Sequence, residues 1–583
     1  MKRVLLWGLA FVASGVQAKT PAADTVFQNG YVYTVDATDS IAQALAVKDG
    51  RIVYAGDDAG AKAFTGRKTQ VIDLKGRMVM PGLIDGHMHP QSGGLRMLNC
   101  NLNYDSLTIP EFQARIQKCV DDDKAAGPND WLEVINWFEP GAKPEGTVLT
   151  RTALDGVKTA RPIKVHSSFG HSNLTNTRGL QLAGITRDTP EPKDGVIVRD
   201  AAGEPTGLLQ DAAQDLLDKV VPGPSVEKNY QATQLALKAM REQGITTFLD
   251  AYTDIETMTA YRTVSQEGGL TARAHFAVLI DSPADYDADK AIAEILKQKA
   301  EFEQKPDGAK PVMKVDTAKL FLDGVYSAPS FSAVMIEPYF EHGKPGHNYG
   351  PKPYFSQTQL DDTLIKLATA GINPHMHADG DGSVHMGLNG VEAMRKVHPV
   401  DDIRPAIAHD EIVDPTDYKR YAEVGALPVL SFQWERPSID IMQSMPALGP
   451  VRSALMEPAG LLEIYGARIV YGSDWPVDAL NEWLALQIAV TRKAIGEDAV
   501  TYPDRLGIDP GLTVAQAVRA ITLNAAYSLR QDKDTGSLEA GKFADLIVLD
   551  RNLFQIKPEE IGGTQVLLTM VGGKAVYRAE AFK

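Results

Sequence analysis

Short apolar runs alternate with helix-length segments through the middle of the chain, from about residue 81 to residue 530. The run "GITTFLD", for example, follows the helix-like segment "NYQATQLALKAMREQ". Repeated alternation of strand and helix predicts a parallel sheet, and eight such units close a (β/α)8 barrel. A doubly wound open sheet is the alternative, but no G-x-G-x-x-G segment follows a first strand. Besides the run that ends in "GHMHP", the predicted strands are 244–250, 272–280, 318–324, 371–380, 404–410, 426–434 and 467–476.

The two ends of the chain have a different pattern. Residues 25–80 contain short alternating runs broken at Asn29-Gly30 and Asp49-Gly50, and the end repeats this character in "KFADLIVLDRN" and "QVLLTMVGGKAVYRAE". Such runs are typical of hairpins in a small sheet. We therefore expect one β-sandwich built from residues 19–80 and 536–583 around a barrel at 81–535. The less regular stretch at about 91–240 is expected to be a cap or insertion over the barrel mouth.

Composition and charge limit the classes of binding partner that the protein can have. The 583 residues are 44% hydrophobic and 23% charged, which describes an ordinary globular protein. The formal net charge of −16 argues against nucleic acid or an anionic membrane surface, since either needs clustered Lys and Arg. A small-molecule substrate is the expected partner, and a homodimer is left open.

The first residues predict export. "MKRVLLWGLAFVASGVQA" has a basic start, an apolar stretch and a small-x-small site, which is typical of a signal peptide over 1–18. A retained membrane anchor is the alternative, although the apolar stretch is short for a span. The mature protein is expected to be soluble in the periplasm or medium. Its two cysteines, Cys100 and Cys119, can either pair as a disulfide or remain two buried thiols.

Polar side chains stand at the ends of the predicted barrel strands. His87 and His89 in "GHMHP" are two residues apart, so on a strand both rings point to one face. Each residue of the set also has an ordinary structural explanation: a packed histidine, a lysine reaching solvent, or an aspartate capping a helix. Joint placement at five strand ends favours a functional site, because barrel enzymes use the C-terminal ends of their strands. The further members of the set are Lys319, His375, His377, His409 and Asp474.

Several of these segments resemble a known family. "PGLIDGHMHP", "KLFLDG", "HADGD", "YGSDWPV" and "GSLEAGKFADLIVLD" are similar to the amidohydrolase superfamily, specifically the amidohydrolase-3 branch that includes the N-substituted formamide deformylases. The resemblance covers nearly the whole mature chain and implies a (β/α)8 barrel, a β-sandwich from both chain ends, and one or two divalent metal ions, usually zinc.

The resemblance also implies roles for individual residues. His87 and His89 would bind the more buried metal with Asp474, and His377 and His409 would bind the second. Lys319 matches a position where some members carry a carboxylated lysine that bridges two ions. Ala408 and Gly382 differ from the residues common at these positions in similar sequences. These differences put the substrate preference in doubt but leave the candidate metal ligands unchanged.

Other candidates concern the substrate. His375 has no counterpart in the family, and we expect it to support a ligand or contact the substrate. His171 in "FGHSN" either polarises or protonates the substrate or is a loop histidine bonded to backbone. Trp434, Trp137 and Phe138 are candidate apolar walls, with core packing as the alternative.

These parts permit a hydrolytic mechanism. A metal with an open position activates water, while Asp474 acts as general base and then as general acid to the leaving nitrogen. Hydrolysis of an amide or another non-peptide carbon–nitrogen bond is the expected reaction. The alternatives are an ester, lactone or phosphoester hydrolase on the same site, and a noncatalytic exported binding protein.

Overall fold

The barrel predicted from the alternating pattern is present. The computed structural model describes residues 22–582 apart from 125, 169, 171, 193–194, 282–285, 329 and 400–401. Eight strands form one parallel sheet in chain order, from the first strand to the last. They are β1 (Leu83–Met88), β2 (Ile245–Thr253), β3 (Arg273–Leu279), β4 (Met313–Phe321), β5 (Asn373–Ala378), β6 (Ala406–His409), β7 (Leu427–Leu430) and β8 (Val470–Tyr471).

Helices follow the strands and cover the outside of the sheet. A single large apolar cluster joins strand residues such as Phe248 and Leu320 to helix residues such as Leu364 and Val391. This is the packing that parallel sheets require, because both faces of their strands are buried. The main covering helices are Pro90–Met97, Val226–Gln243, Ile255–Gln266, Ala288–Phe302, Gln357–Thr369, Asp381–Val397, Arg420–Val424, Ile439–Leu455, Ala459–Ile464, Glu482–Thr491, Val514–Arg519 and Ala525–Ser528. Ile439–Leu455 is interrupted at Gly449, whose φ is 76°.

Strands from both chain ends share a sheet outside the barrel. Six strands, Lys574–Arg578, Val566–Val571, Leu546–Leu549, Met78–Pro81, Tyr31–Tyr33 and Ile41–Ala42, form one sheet in that order. Four strands, Arg51–Gly56, Ala44–Lys48, Thr25–Gln28 and Gln70–Asp73, form a second sheet. Phe27 and Leu45 of the second sheet share an apolar cluster with Val548 and Leu568 of the first. The two sheets therefore pack on a common core, beside the short helix Asp58–Ala61.

An insertion with its own sheet and core lies between β1 and β2. Its strands are Gly195–Arg199, Pro205–Asp211, Ser172–Thr175, Ile163–Ser167, Leu132–Trp137 and Cys100–Asn101, in sheet order. Its helices are Ile109–Asp122, Arg151–Asp155, Thr177–Ala183 and Asp215–Asp218. The insertion contains fewer residues than the stretch predicted at 91–240. The side chains of Gln91 and Asn229 join helix Pro90–Met97 to helix Val226–Gln243, so these two helices lie beside the barrel and not in the insertion.

Cys100 and Cys119 form a disulfide within this insertion, with their Cα atoms 5.7 Å apart. Of the two alternatives that the sequence left open, the structure has the paired one. The bond joins the start of the insertion to the helix Ile109–Asp122. In the part of the chain that the structure describes, no helix combines the length and the apolar character needed to cross a membrane. The signal peptide predicted over residues 1–18 lies outside the described residues.

Candidate metal centre

The strand-end residues come together at one end of the barrel. His87 lies in β1 with His89 just beyond it, Lys319 in β4, His377 in β5, His409 at the end of β6, and Asp474 follows β8. Because all eight strands are parallel, their C-terminal ends meet at the same mouth. All six side chains line a single cavity of about 750 Å³.

The first group of candidate ligands is His87, His409 and Asp474. One ligand atom of each lies within 4.8 Å of the others, and all three residues are buried. Asp474 Oδ1 is 3.4 Å from His87 Nε2 and 3.1 Å from His89 Nε2. Neither His87 Nε2 nor Asp474 Oδ1 has a hydrogen-bond partner among the described residues. Buried polar atoms are normally paired, and imidazole nitrogens with a carboxylate oxygen are the donors that a transition metal such as zinc prefers. The residues present therefore fit a metal ion.

The second group is His377, Asp379 and His409, so His409 belongs to both. His377 Nε2 donates a hydrogen bond to the carbonyl of Gly324 at 3.0 Å and lies 3.5 Å from Asp379 Oδ1. Asp379 Oδ1 is buried and has no hydrogen-bond partner within the described part of the chain.

Asp379 was missed by the sequence interpretation. A signal for it was available, because Asp379 stands two residues after His377 in "HADGD", the spacing that placed His87 with His89. Its position is held by Asp323, a buried carboxylate that accepts hydrogen bonds from the backbone N–H of Asp379 at 3.1 Å and of Gly380 at 3.1 Å.

Burial sets the protonation of the histidines. It lowers the pKa of His87 and of His409 well below the usual range, and nearby cationic and imidazole groups add to the effect. Both rings are therefore neutral near pH 7, which is the form that binds metals. The Nδ1 atom of His87 is 2.7 Å from His375 Nε2, so a ring-to-ring hydrogen bond leaves His87 Nε2 facing Asp474. His375 thus supports a candidate ligand, and it does not line the cavity.

Lys319 and Asp474 show opposite effects of their surroundings. Burial lowers the pKa of Lys319 to about 8, although the charges of Asp474 and Asp379 oppose this shift. Burial raises the pKa of Asp474, but the adjacent imidazole of His89, with the charges of His409 and Lys319, outweighs this effect and holds the pKa below its usual range. Asp474 is therefore ionised at neutral pH, and Lys319 carries an appreciable fraction of free amine.

The aromatic candidates lie in two different environments, the cavity wall and the core of the insertion. Trp434 lines the cavity, and its ring is stacked on His409 at 5.9 Å between centroids. Its Nε1 donates to Asp478 at 2.9 Å, which fixes the indole. Trp137 is 3% exposed in the core of the insertion and faces Phe112, whereas its neighbour Phe138 lines the cavity. Trp137 therefore packs in the core of the insertion and is not a wall of the cavity. His171 lies outside the described residues.

Comparison with known proteins identifies the class. Residues 70–577 match the model of the amidohydrolase family. The chain is 28% identical to putative amidohydrolase YtcJ of Bacillus subtilis over 95% of its own length and 99% of the relative. It is 27% identical to N-substituted formamide deformylase of Arthrobacter pascens over 96% and 99% of the two chains. A solved metal-dependent hydrolase of Pyrococcus horikoshii superposes with a TM-score of 0.69 at 20% identity, covering 92% of this chain and 99% of that one.

The chain therefore belongs to the amidohydrolase family. It is a metal-dependent hydrolase that acts on carbon–nitrogen bonds other than peptide bonds.

Proposed function

We propose that this protein is an exported hydrolase that cleaves the amide bond of a small N-acyl or N-formyl compound. The observation that carries the proposal is the buried group of His87, His409 and Asp474 at the floor of a cavity of about 750 Å³, with ligand atoms left unpaired. A cavity of this size accommodates a small molecule rather than a folded polypeptide.

The residues available to hold metal are defined by the two groups. His87, His89 and Asp474 would hold one ion, His377 and Asp379 would hold a second, and His409 lies within reach of either group. Zinc suits a donor set of imidazoles and carboxylates. When bound, such an ion supplies Lewis acidity, polarising a carbonyl and bringing the pKa of water into the neutral range.

Asp474 is the group best placed to move a proton. It is ionised, lines the cavity and lies 3.1 Å from His89 Nε2, so it can accept a proton from the attacking water and return it to the leaving nitrogen. Return of the proton matters because an amine departs from a tetrahedral centre only when protonated. A carboxylated Lys319 would add an anionic bridge between the two groups of ligands.

The walls of the cavity favour an apolar substituent on the substrate. Trp434, Phe138, Tyr326 and Phe321 line it, and the indole of Trp434 is held rigidly by Asp478. A rigid aromatic wall orients a flat or apolar group at little entropic cost. The relative from Arthrobacter pascens is named for formamides that carry a substituent on nitrogen, so N-substituted formamides join other N-acyl amines as candidate substrates.

Two independent features support export. The first 18 residues have the composition of a signal peptide. The Cys100–Cys119 disulfide is of a kind that persists in oxidising compartments and is rare in the cytosol.

Metal add-back combined with a substrate panel tests the proposal. Metal-stripped protein is expected to be inactive and to regain hydrolysis of N-formyl and N-acyl amines when zinc is restored. The matched esters, lactones and phosphoesters belong in the same panel, because faster turnover of any of them would replace the amide assignment. His87→Ala is expected to lose metal and turnover together, whereas His385→Ala, which removes a surface imidazole paired with Asp417, retains both. Full activity in the His87→Ala protein would reject the proposed site.

A further inference from the structure

The candidate ligands His87, His89 and Asp474 lie along the seam where the barrel closes. Strand β1 is the first strand of the sheet and β8 the last, and no ladder pairs them among the described residues. Two backbone hydrogen bonds cross the seam at the C-terminal ends of the strands. The N–H of Asp474 donates to the carbonyl of His87 at 2.7 Å, and the N–H of His89 donates to the carbonyl of Trp475 at 2.7 Å.

One buried carboxylate also crosses this seam. Asp85 is 1% exposed and accepts hydrogen bonds from the N–H of His87 at 3.0 Å and from the N–H of Ser473 at 3.1 Å. Its second oxygen accepts from the hydroxyl of Ser473 at 2.5 Å, and that hydroxyl accepts from the N–H of Trp475 at 3.1 Å. We call Asp85 and Ser473, with the bonds that join them, the seam clamp.

The seam clamp holds the residues on both sides of Asp474. Ser473 precedes Asp474 and Trp475 follows it, while Asp474 itself has a φ of 52°, in the left-handed region. A residue other than glycine stays in this region only when its surroundings hold it there. The direction in which the Asp474 carboxylate points therefore depends on how its two neighbours are tied to β1.

The close approach of the two chain segments makes this tie sensitive. A Cβ on Gly472 would lie 2.4 Å from the Cβ of His87, and a Cβ on Gly86 would lie 2.9 Å from the carbonyl oxygen of Tyr471. Both contacts are too short for a side chain. A small shift at the seam would move Asp474 relative to His87 and His89 by an amount comparable to the tolerance of a metal–ligand distance.

We propose that Asp85 and Ser473 are positioning residues for metal binding, which set the Asp474 carboxylate against His87 and His89 from outside the ligand set. This inference rests on the proposed function, because it concerns the same metal centre. Partners that orient ligands in this way typically contribute 10- to 100-fold to metal affinity.

Metal binding, rather than turnover, gives the decisive measurement. Zinc affinity is measured by competition with a chromogenic chelator, and the absorption spectrum of the cobalt(II) protein reports ligand geometry. The variants are Asp85→Asn, Ser473→Ala, Ser473→Thr and the double variant of Asp85→Asn with Ser473→Ala. Ser473→Thr keeps the hydroxyl and is expected to retain wild-type affinity and spectrum. Asp85→Asn and Ser473→Ala are each expected to weaken zinc binding at least tenfold and to change the cobalt spectrum.

The double variant is expected to lose little more than the worse single variant, because the two residues act through one set of bonds. Asp509→Asn is the matched control. Asp509 is equally buried and accepts from the N–H groups of Gly460, Leu461 and Gly511, but it lies outside the cavity wall. The Asp509→Asn variant is expected to have a lower melting temperature than the wild type and an unchanged zinc affinity.

The possible results separate the two claims. Zinc affinity within twofold of wild type and an unchanged cobalt spectrum in Ser473→Ala would overturn the seam clamp as a positioning device, even if the melting temperature falls. This result remains decisive if Asp85→Asn fails to fold, because Ser473→Ala and Ser473→Thr differ only in the hydroxyl and one methyl group. A wild-type protein that binds no divalent metal would overturn the proposed function, and the inference with it.

Discussion

Removal of His409 tests the metal centre most directly, because this residue belongs to both groups of candidate ligands. In His409→Ala the first group keeps His87 and Asp474, with His89 beside them, and the second keeps His377 and Asp379. The ring is neutral and buried, so its loss leaves no uncompensated charge. The variant is expected to fold, with a lower stability caused by the cavity that the missing ring leaves.

The expected magnitude follows from mass action. A ligand that binds only the folded state stabilises it by RT ln(1 + [L]/Kd), which is about 2.7 kcal/mol when zinc is present at 100 times the wild-type Kd. Loss of a residue that merely supports a ligand costs 10- to 100-fold in metal affinity, so loss of a direct ligand should cost at least 100-fold. The same zinc concentration then equals the Kd of the variant or lies below it, and the stabilisation falls to about 0.4 kcal/mol or less.

His375→Ala provides an internal scale, because His375 contacts His87 without belonging to either group. A tenfold loss of affinity would leave it about 1.4 kcal/mol of zinc stabilisation, between the wild type and His409→Ala.

Denaturant unfolding with and without zinc measures these increments. Each variant is compared with its own metal-free form, so that the cost of the cavity cancels. His385→Ala serves as the surface control and should keep the full increment. A His409→Ala protein that retains the wild-type increment would refute the assignment of both groups.

The remaining predictions concern Lys319, the predicted signal peptide and a buried ion pair. Lys319→Ala is expected to lose activity that short carboxylic acids with bicarbonate partly restore, because they can replace a bridging carbamate; an unmodified Lys319 in the intact mass of active protein with one metal per chain would favour a mononuclear site. N-terminal sequencing of exported material should begin near Lys19, and an intact leader there would contradict cleavage. Arg273→Met leaves the buried carboxylate of Asp545 without its cationic partner where the barrel meets the six-stranded sheet, and should cost about 3–5 kcal/mol in denaturant unfolding. The exposed Arg187, replaced in the same way, should cost at most about 1 kcal/mol.

The barrel and most of the metal-site candidates were predictable from the sequence for a physical reason. Parallel strands buried on both faces give short continuous apolar runs, and the polar residue that ends each run lies at the barrel mouth. His87, His409 and Asp474 were found in this way, and the structure brings them together. The two chain ends were predicted to be β-rich from their alternating runs, which depend only on local pattern.

The supporting carboxylates could not be predicted by the same reasoning. Asp85 stands inside the apolar run "PGLIDGHMHP" and Asp323 inside "KLFLDG", where a single acidic residue has no periodic signal. Their partners are backbone N–H groups of distant segments, such as Ser473 for Asp85 and Gly380 for Asp323. Contacts of this kind follow from the assembly of the barrel and not from local sequence. Trp137 and Phe138 illustrate the same limit, because only the register of their strand decided which ring reached the cavity.

The backbone at the site explains why these contacts are needed. His409 has a φ of 85° and Asp474 a φ of 52°, although neither is glycine. Conformations of this kind cost about 1 to 3 kcal/mol each and persist only where surrounding bonds enforce them. The backbone conformation of Asp474 is held by the hydrogen bond from its N–H to the carbonyl of His87. The conformation at His409 is held by a hydrogen bond from the N–H of the next residue, Asp410, to the carbonyl of Ala378. In each case the enforcing bond comes from a neighbouring ligand-bearing strand or its end. Strain at one ligand is therefore offset by its connection to another, so the geometry of the metal centre is a property of the closed barrel and not of any single motif.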